Sequence, residues 1–180
     1  MIGLEVANFL SKGKIGVVPT DTIYGLVGSA LKPEVVERIY KVKGRSPKKP
    51  FIILIAEIKD LETFGVTLDE NVANYLKKNW PGPTSVIFPV SNDWQYLHRG
   101  KGTVAFRIPD KKYLIDFIKE IGPLVAPSAN PEGKIPAKTV DDARSYFGSD
   151  VDFYVDGGSL DNNPSKLVEY KDGKFVILRK

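Results

Sequence analysis

The chain has 180 residues, of which 42% are hydrophobic and 27% charged, and a net charge of +4. That balance excludes a disordered or fibrous chain and is large enough for one domain with a substantial core. With no cysteine and a single His98, disulfides, thiolate nucleophiles and Cys- or His-cluster metal centres are excluded as well.

The start, Met1-Ile2-Gly3-Leu4-Glu5, lacks the basic opening and long apolar region of a secretory leader. No apolar run reaches the roughly 18 residues of a membrane span. The expected location is therefore the cytoplasm, with no membrane partner. The mild basic excess fits an anionic partner such as a nucleotide or RNA.

Residues 15–18 read as a buried strand that empties into Val18-Pro19-Thr20-Asp21-Thr22-Ile23-Tyr24-Gly25-Leu26. Two hydroxyls, a carboxylate and a phenol there suit either a ligand or a turn capped by Asp or Thr. Pro33 suits a first helical position, and Val36, Ile39, Tyr40 and Lys43 share one stripe. Lys43 at the end of that apolar stripe points toward a cleft edge. Arg45 follows one glycine later, so a compact charge stands beside a planar fork, a pairing suited to a triphosphate. The surrounding run 41–50 equally suits a solvated basic loop.

Residues 51–56 form the next strand; Val72, Tyr75 and Leu76 mark a helix that ends near Trp80-Pro81-Gly82. A strand follows at 85–88. His98 falls in a polar loop, so a Ser-His-Asp arrangement would hang on that one residue. Residues 104–108 are another strand, and Thr103 and Arg107, four apart, share one of its faces. Arg107 among Val104, Ala105, Phe106 and Ile108 demands an anion, either a ligand or a structural Asp or Glu.

Leu114, Phe117, Ile118 and Ile121 form a helical stripe that Gly122-Pro123 stops. A strand at 124–126 runs into Pro127-Ser128-Ala129-Asn130-Pro131, a stiff segment with exposed amides that suits a phosphate, a carboxylate or a structural turn. Strand 151–155 follows. The runs 167–170 and 175–178 then flank Lys171-Asp172-Gly173-Lys174, a hairpin signal. Strands alternating with helices and ending in a hairpin imply an α/β fold with a mixed sheet and its sites at the strand ends. Neither common Gly-rich nucleotide fingerprint is present, nor a nucleophile elbow.

The same segments resemble the signature of the YrdC domain, the threonylcarbamoyl-AMP synthase family. They are Pro19-Thr20-Asp21-Thr22-Ile23-Tyr24-Gly25-Leu26, the K-x-R of Lys43 and Arg45, Trp80-Pro81-Gly82-Pro83, and Thr103 with Arg107. The series continues with the S-x-N of Ser128 and Asn130, Asp156-Gly157-Gly158, Pro164-Ser165 and Ile177-Leu178-Arg179. The resemblance covers nearly the whole chain and implies one domain over residues 1–180, rather than either larger relative, with a C-terminal extension or inside a hydrogenase-maturation carbamoyltransferase. It implies a twisted open mixed sheet with flanking helices and a deep basic concave face.

The activity implied is nucleotidyl transfer: threonine, bicarbonate and ATP, the last with Mg2+, give threonylcarbamoyl-AMP and pyrophosphate. A separate tRNA threonylcarbamoyl transferase would consume the product. Lys43 and Arg45 would be catalytic. Lys43, Arg45, Lys49, Thr103, Ser128, Asn130 and Arg179 would bind ATP, while Thr22, Arg107, Ser165 and the backbone of Ala126 would hold threonine. No side chain is implied as a metal ligand. Against the family pattern stand Ser46, Leu54, Glu132-Gly133, Pro136 and Lys166.

A competing reading is a non-catalytic RNA-binding or ribosome-assembly module, because the domain's concave face resembles an RNA-binding surface. On that reading tRNA or double-stranded RNA becomes a direct partner. A third reading is a carbamoyl-nucleotide enzyme acting on another amine.

Overall fold

In the strands of this chain, adjacent apolar residues leave for opposite sides, so both faces of the sheet need cover. The computed structural model describes the backbone of residues 2–180 and the side chains of residues 5–180. The leader reading of residues 1–4 thus lies largely outside the described residues, and α1 (Ile2–Ser11) occupies the start of the described chain. Then follow β1 (Gly16–Pro19), β2 (Tyr24–Ser29), α2 (Pro33–Lys43), β3 (Ile52–Leu54), α3 (Glu70–Asn79) and β4 (Thr84–Pro89). After these come α4 (Gln95–His98), β5 (Thr103–Arg107), α5 (Lys112–Ile121), β6 (Leu124–Val125) and α6 (Val140–Phe147). The chain ends with β7 (Phe153–Tyr154), β8 (Lys166–Lys171) and β9 (Lys174–Arg179).

Among the described residues the strands form one mixed sheet in the order β7-β1-β2-β6-β3-β5-β4-β8-β9. The pairs β1–β7, β3–β5 and β4–β8 are parallel and the others antiparallel, as an α/β chain ending in a hairpin requires. No described helix is long and apolar enough to cross a membrane.

Val17, Leu26, Ile53, Phe106 and Val125 enter one core together with α2 and α3. Their neighbours Val18, Val27, Leu54 and Leu124 enter a second core with α1 and α5. Each such side chain contributes about 1.5–3 kcal/mol on burial. The second core holds no residue of β5, β4 or β8. On those strands the same face carries Thr103, Ala105, Arg107, Ile87, Leu167 and Glu169 into an open cavity.

Local signals set the helix ends. Pro33 opens α2, and Gly44, left-handed at φ 58°, closes it. Asp69 caps α3 by accepting from the Val72 amide at 2.8 Å. Gly122 ends α5.

Four elements depart from the sequence reading, the first being α1, which that reading did not mark as a helix. Tyr24, Gly25 and Leu26, read as part of a site loop, belong to β2; its two glycines and burial on both faces erase the alternation by which a strand is recognised. The unanticipated α6 carries only two buried residues, Ala143 and Phe147, but begins with a reciprocal capping box between Thr139 and Asp142. His98 is not in a polar loop. It ends α4 and is 4% exposed, because its ring caps the turn that follows.

Candidate functional site

The turn between β1 and β2 is held by Thr20. Its hydroxyl donates to the Ile23 carbonyl (2.7 Å) and accepts from the Thr22 amide (3.1 Å), and the Thr22 hydroxyl lies 3.0 Å away. The turn reading therefore holds for this segment, and Thr20 and Thr22 both line the cavity. Tyr24 Oη donates to the Gly158 carbonyl and accepts from the Gly157 amide, each at 2.8 Å, which draws the Asp156-Gly157-Gly158 segment onto β2. A side chain at Gly157 would meet Pro19 at 2.5 Å.

Lys43 follows its apolar stripe inward and is 1% exposed. Its ammonium donates to the carbonyls of Ser128 and Asn130, both at 2.5 Å, and the Lys43 carbonyl accepts from the Glu132 amide at 2.8 Å. Burial, with the nearby Arg45 charge, pushes the Lys43 amine down to about 7, against a small pull upward from Glu132. Past Gly44 the chain turns, and Arg45 reaches the cavity with its guanidinium 5.5 Å from the Phe51 ring centroid. Lys49 points elsewhere, into a 2.5 Å ion pair with Glu132. Glu132 also accepts from the Ser46 amide at 2.7 Å, and the Lys49 hydrogen bond, then the Ser46 amide, hold its carboxyl below the ordinary range. Ser46 and Glu132, two departures from the family pattern, thus bond each other.

Beyond β6 the chain keeps beside β2. The Ala126 amide donates to the Ile52 carbonyl (3.0 Å), the Leu26 amide to the Pro127 carbonyl (2.8 Å), and the Ala129 amide to the Tyr24 carbonyl (2.8 Å). Gly25 and Ser128 are bridged, which fixes Ser128 at the cavity wall. Asn130 turns its amide nitrogen to the carbonyls of Pro131 (3.0 Å) and Lys134 (2.6 Å), closing the 130–134 turn. Its Oδ1 is buried with no partner among the described residues.

On the sheet floor, register places Arg107, Ser85, Leu167 and Arg179 in one row across β5, β4, β8 and β9. Arg107 donates to Asp21 and both side chains are almost fully buried, so the anion that the arginine required is a structural aspartate. Asp21 Oδ2 also accepts from the Asp110 amide at 3.1 Å. Ser85 and Ser165 share a 2.9 Å hydroxyl contact. Arg179 donates to the Ser165 carbonyl at 2.8 and 3.1 Å. Burial, followed by the charges of Arg45 and Arg107, lowers the Arg179 guanidinium from its ordinary range, a sign that three cations share one space.

The cavity measures about 510 Å³. Of the residues expected to bind a nucleotide, Arg45, Thr103, Ser128 and Arg179 line it; Thr22, Arg107, Ala126 and Ser165, expected to hold an amino acid, line it too. Lys43, Lys49 and Asn130 do not. Lys43 and Asn130 brace the wall behind Ser128, and Lys49 is tied to Glu132 outside. Leu54, a departure from the family pattern, is fully buried in the second core. Pro136, another departure from the family pattern, lines the cavity wall.

The sequence reading missed Asp21 as the partner of Arg107, and it missed Lys101 and Glu169, which also line the cavity. Glu169 carried a signal, since it lies two residues past Leu167 on one strand face. Lys101 carried only its place two residues before Thr103.

Comparison with known proteins follows the same lines. Residues 8–180 match the Sua5/YciO/YrdC family model, described as "Telomere recombination". The chain is 34% identical over 177 residues to the threonylcarbamoyl-AMP synthase of Pyrococcus abyssi, an alignment that covers 96% of this chain and 52% of that protein. It is 30% identical to the threonylcarbamoyl-AMP synthase of Cellvibrio japonicus, with 94% of this chain and 92% of that protein covered. The crystal structure of P. abyssi Sua5 complexed with L-threonine superposes with a TM-score of 0.91 at 31% identity, over 98% of this chain and 53% of that one. The chain thus spans about half the length of the Pyrococcus relative and nearly all of the Cellvibrio one. With the motif order, the sheet and the family match in agreement, the chain belongs to the Sua5/YciO/YrdC family.

Proposed function

We propose that the protein is an L-threonylcarbamoyladenylate synthase, a nucleotidyltransferase that makes threonylcarbamoyl-AMP and pyrophosphate from L-threonine, bicarbonate and ATP. The observation that carries this reading is the convergence of Arg45, Ser128 and Arg179 with Thr22, Arg107 and Ser165 on one cavity. A set of hydroxyls and cations of that size suits a triphosphate beside a small zwitterion. The threonine-bound P. abyssi relative supports the amino-acid half of this reading.

On this reading Arg107, held rigid by Asp21, receives the threonine carboxylate while Thr22, Ser165 and the Ala126 backbone orient its other groups. Bicarbonate and the threonine amine form N-carboxythreonine with loss of water. An oxygen of the new carboxylate attacks the ATP α-phosphorus. The bond from that phosphorus to the bridging oxygen breaks, and pyrophosphate leaves with the electron pair. Two anions must meet, so the demand is for positive charge and orientation, not for a nucleophilic side chain.

Arg45 and Arg179 supply charge directly, with Thr103 and Ser128 as donors. Lys43 acts from behind by fixing the Ser128–Asn130 backbone, and Lys49 and Asn130 contribute through the loop they brace. Mg2+ supplies further charge neutralisation as part of the ATP complex. Glu169 is the one carboxylate among the described lining residues, so phosphate and water oxygens would provide most of the ion's ligands.

The product suits a cytoplasmic tRNA threonylcarbamoyl transferase as the consuming partner. The RNA-module reading draws less support, because Arg45, Lys101, Arg107 and Arg179 share one cavity with the hydroxyls of Thr22, Thr103, Ser128 and Ser165.

The test is pyrophosphate release by the purified chain, combined with mass spectrometry of the nucleotide formed from isotopically labelled bicarbonate. Release should need ATP, threonine and bicarbonate together, and the label should appear in the nucleotide product. Release without threonine, or equal rates with any amino acid, defeats the proposal.

A further inference from the structure

The positive charge expected around a triphosphate is largely committed elsewhere. Lys43 is engaged by two carbonyls, Lys49 by Glu132 and Arg107 by Asp21. Two arginines alone are a thin counter-charge for a group of roughly −4, whose developing charge has to be met by preorganised donors. Among the lining residues a third cation is available at the cavity wall: Lys101, in the turn between α4 and β5.

That turn is built with unusual constraint. Arg99, Gly100 and Gly102 adopt left-handed φ angles of 54°, 79° and 69°. The amides of Gly100 and Gly102 both donate to His98 Nδ1, at 3.1 and 3.2 Å, and the Lys101 amide donates to the His98 carbonyl at 2.8 Å. The Val90 amide donates to the Gly102 carbonyl at 3.0 Å and ties the turn to the end of β4. Because Nδ1 accepts two hydrogen bonds, it bears no proton, and the ring's hydrogen resides on Nε2. One buried imidazole therefore gathers the whole turn, with Lys101 at its centre and Thr103 of the cavity floor two residues on.

We infer that Lys101 is a further phosphate-binding cation of this site and that His98 is the residue that positions it. The inference rests on the nucleotide reading above and adds to it a ligand and a support that the motif series does not contain. His98 touches no substrate; it acts through the backbone of residues 100–102.

Calorimetric titration of the full chain with ATP separates these claims. Lys101→Ala and His98→Leu should each weaken ATP binding roughly tenfold, the scale of one charge-assisted contact. His98→Asn, whose Oδ1 stands where Nδ1 does, should bind within about twofold of the parent, as should Lys119→Ala, an exposed cation on α5 away from the cavity. ATP affinity of Lys101→Ala equal to that of the parent overturns the first claim. A folded His98→Asn as weak as Lys101→Ala overturns the second, and this comparison holds even where His98→Leu fails to fold. Absence of ATP binding by the parent protein would instead remove the functional reading itself, and this inference with it.

Discussion

Arg107 and Asp21 form an ion pair with side chains only 5% and 6% exposed, joining the middle of the sheet floor to the turn between the first two strands. The pair is the hinge of the site's geometry, because the same turn presents Thr22 and the same strand presents Thr103.

Asp21→Asn leaves a buried guanidinium without its counter-charge. Removing one partner of such a pair costs about 3–5 kcal/mol. Urea unfolding should show a loss of that order, and Asp21→Asn with Arg107→Met should recover part of it. Equal stability of Asp21→Asn and the parent would mean that water reaches the arginine.

Lys43 sets a pH dependence whose sign follows from its burial. Its folded value of about 7 lies below the ordinary 10.5, so between those limits the unfolded chain binds the extra proton. Stability therefore rises as pH climbs from about 7 toward 10.5, relative to a Lys43→Met variant that lacks the proton. Thermal unfolding of both proteins across that range measures the difference, in which the tyrosines common to both cancel. A constant difference would show that the amine keeps its ordinary affinity for protons.

Arg45 and Lys49 stand near each other in sequence but should behave differently. Arg45 lines the cavity, and Arg45→Ala should cost more than about 100-fold in pyrophosphate release. Lys49 is exposed and paired with Glu132, so Lys49→Ala should cost less than about tenfold, the scale of an exposed pair. Lys43→Ala should also cost more than about 100-fold. It alone of the three should lower the unfolding temperature as well, since two carbonyls lose their donor.

Gly28 marks the contact of β2 with α2. A methyl group built there meets Val35 at 2.6 Å and Ile15 and Ile39 at 3.0 Å. Gly28→Ala should destabilise by about 1–3 kcal/mol through overpacking, read as a lower denaturation midpoint. An unchanged midpoint would show that α2 shifts freely.

Local pattern carried much of this protein. The stripe of Val36, Ile39, Tyr40 and Lys43 announced the helix, but the ammonium expected at a cleft edge is instead buried behind the cavity wall. The Asp172-Gly173 hairpin and the shared face of Thr103 and Arg107 were equally legible, because periods of two and 3.6 are properties of the backbone alone. What escaped were elements whose pattern is erased or too short. Glycines and two-sided burial concealed β2, and α6 contributes only two residues to the core.

Residue type and spacing by themselves determined the α/β class, the family motifs and the set of cations and hydroxyls available to a ligand. Which of those groups face the ligand was decided only by tertiary structure. Asp21 and Arg107 are 86 positions apart, and nothing local states that one neutralises the other. Lys43 is directed at two carbonyls, which turns an expected phosphate contact into a brace. Arg179 shows the reason most clearly. Counted by twos from Val176, it should leave the cavity face, yet a register irregularity between β8 and β9 sets it opposite Leu167 and so toward the cavity. A one-residue slip between neighbouring strands costs little in sequence and reverses the direction of a side chain.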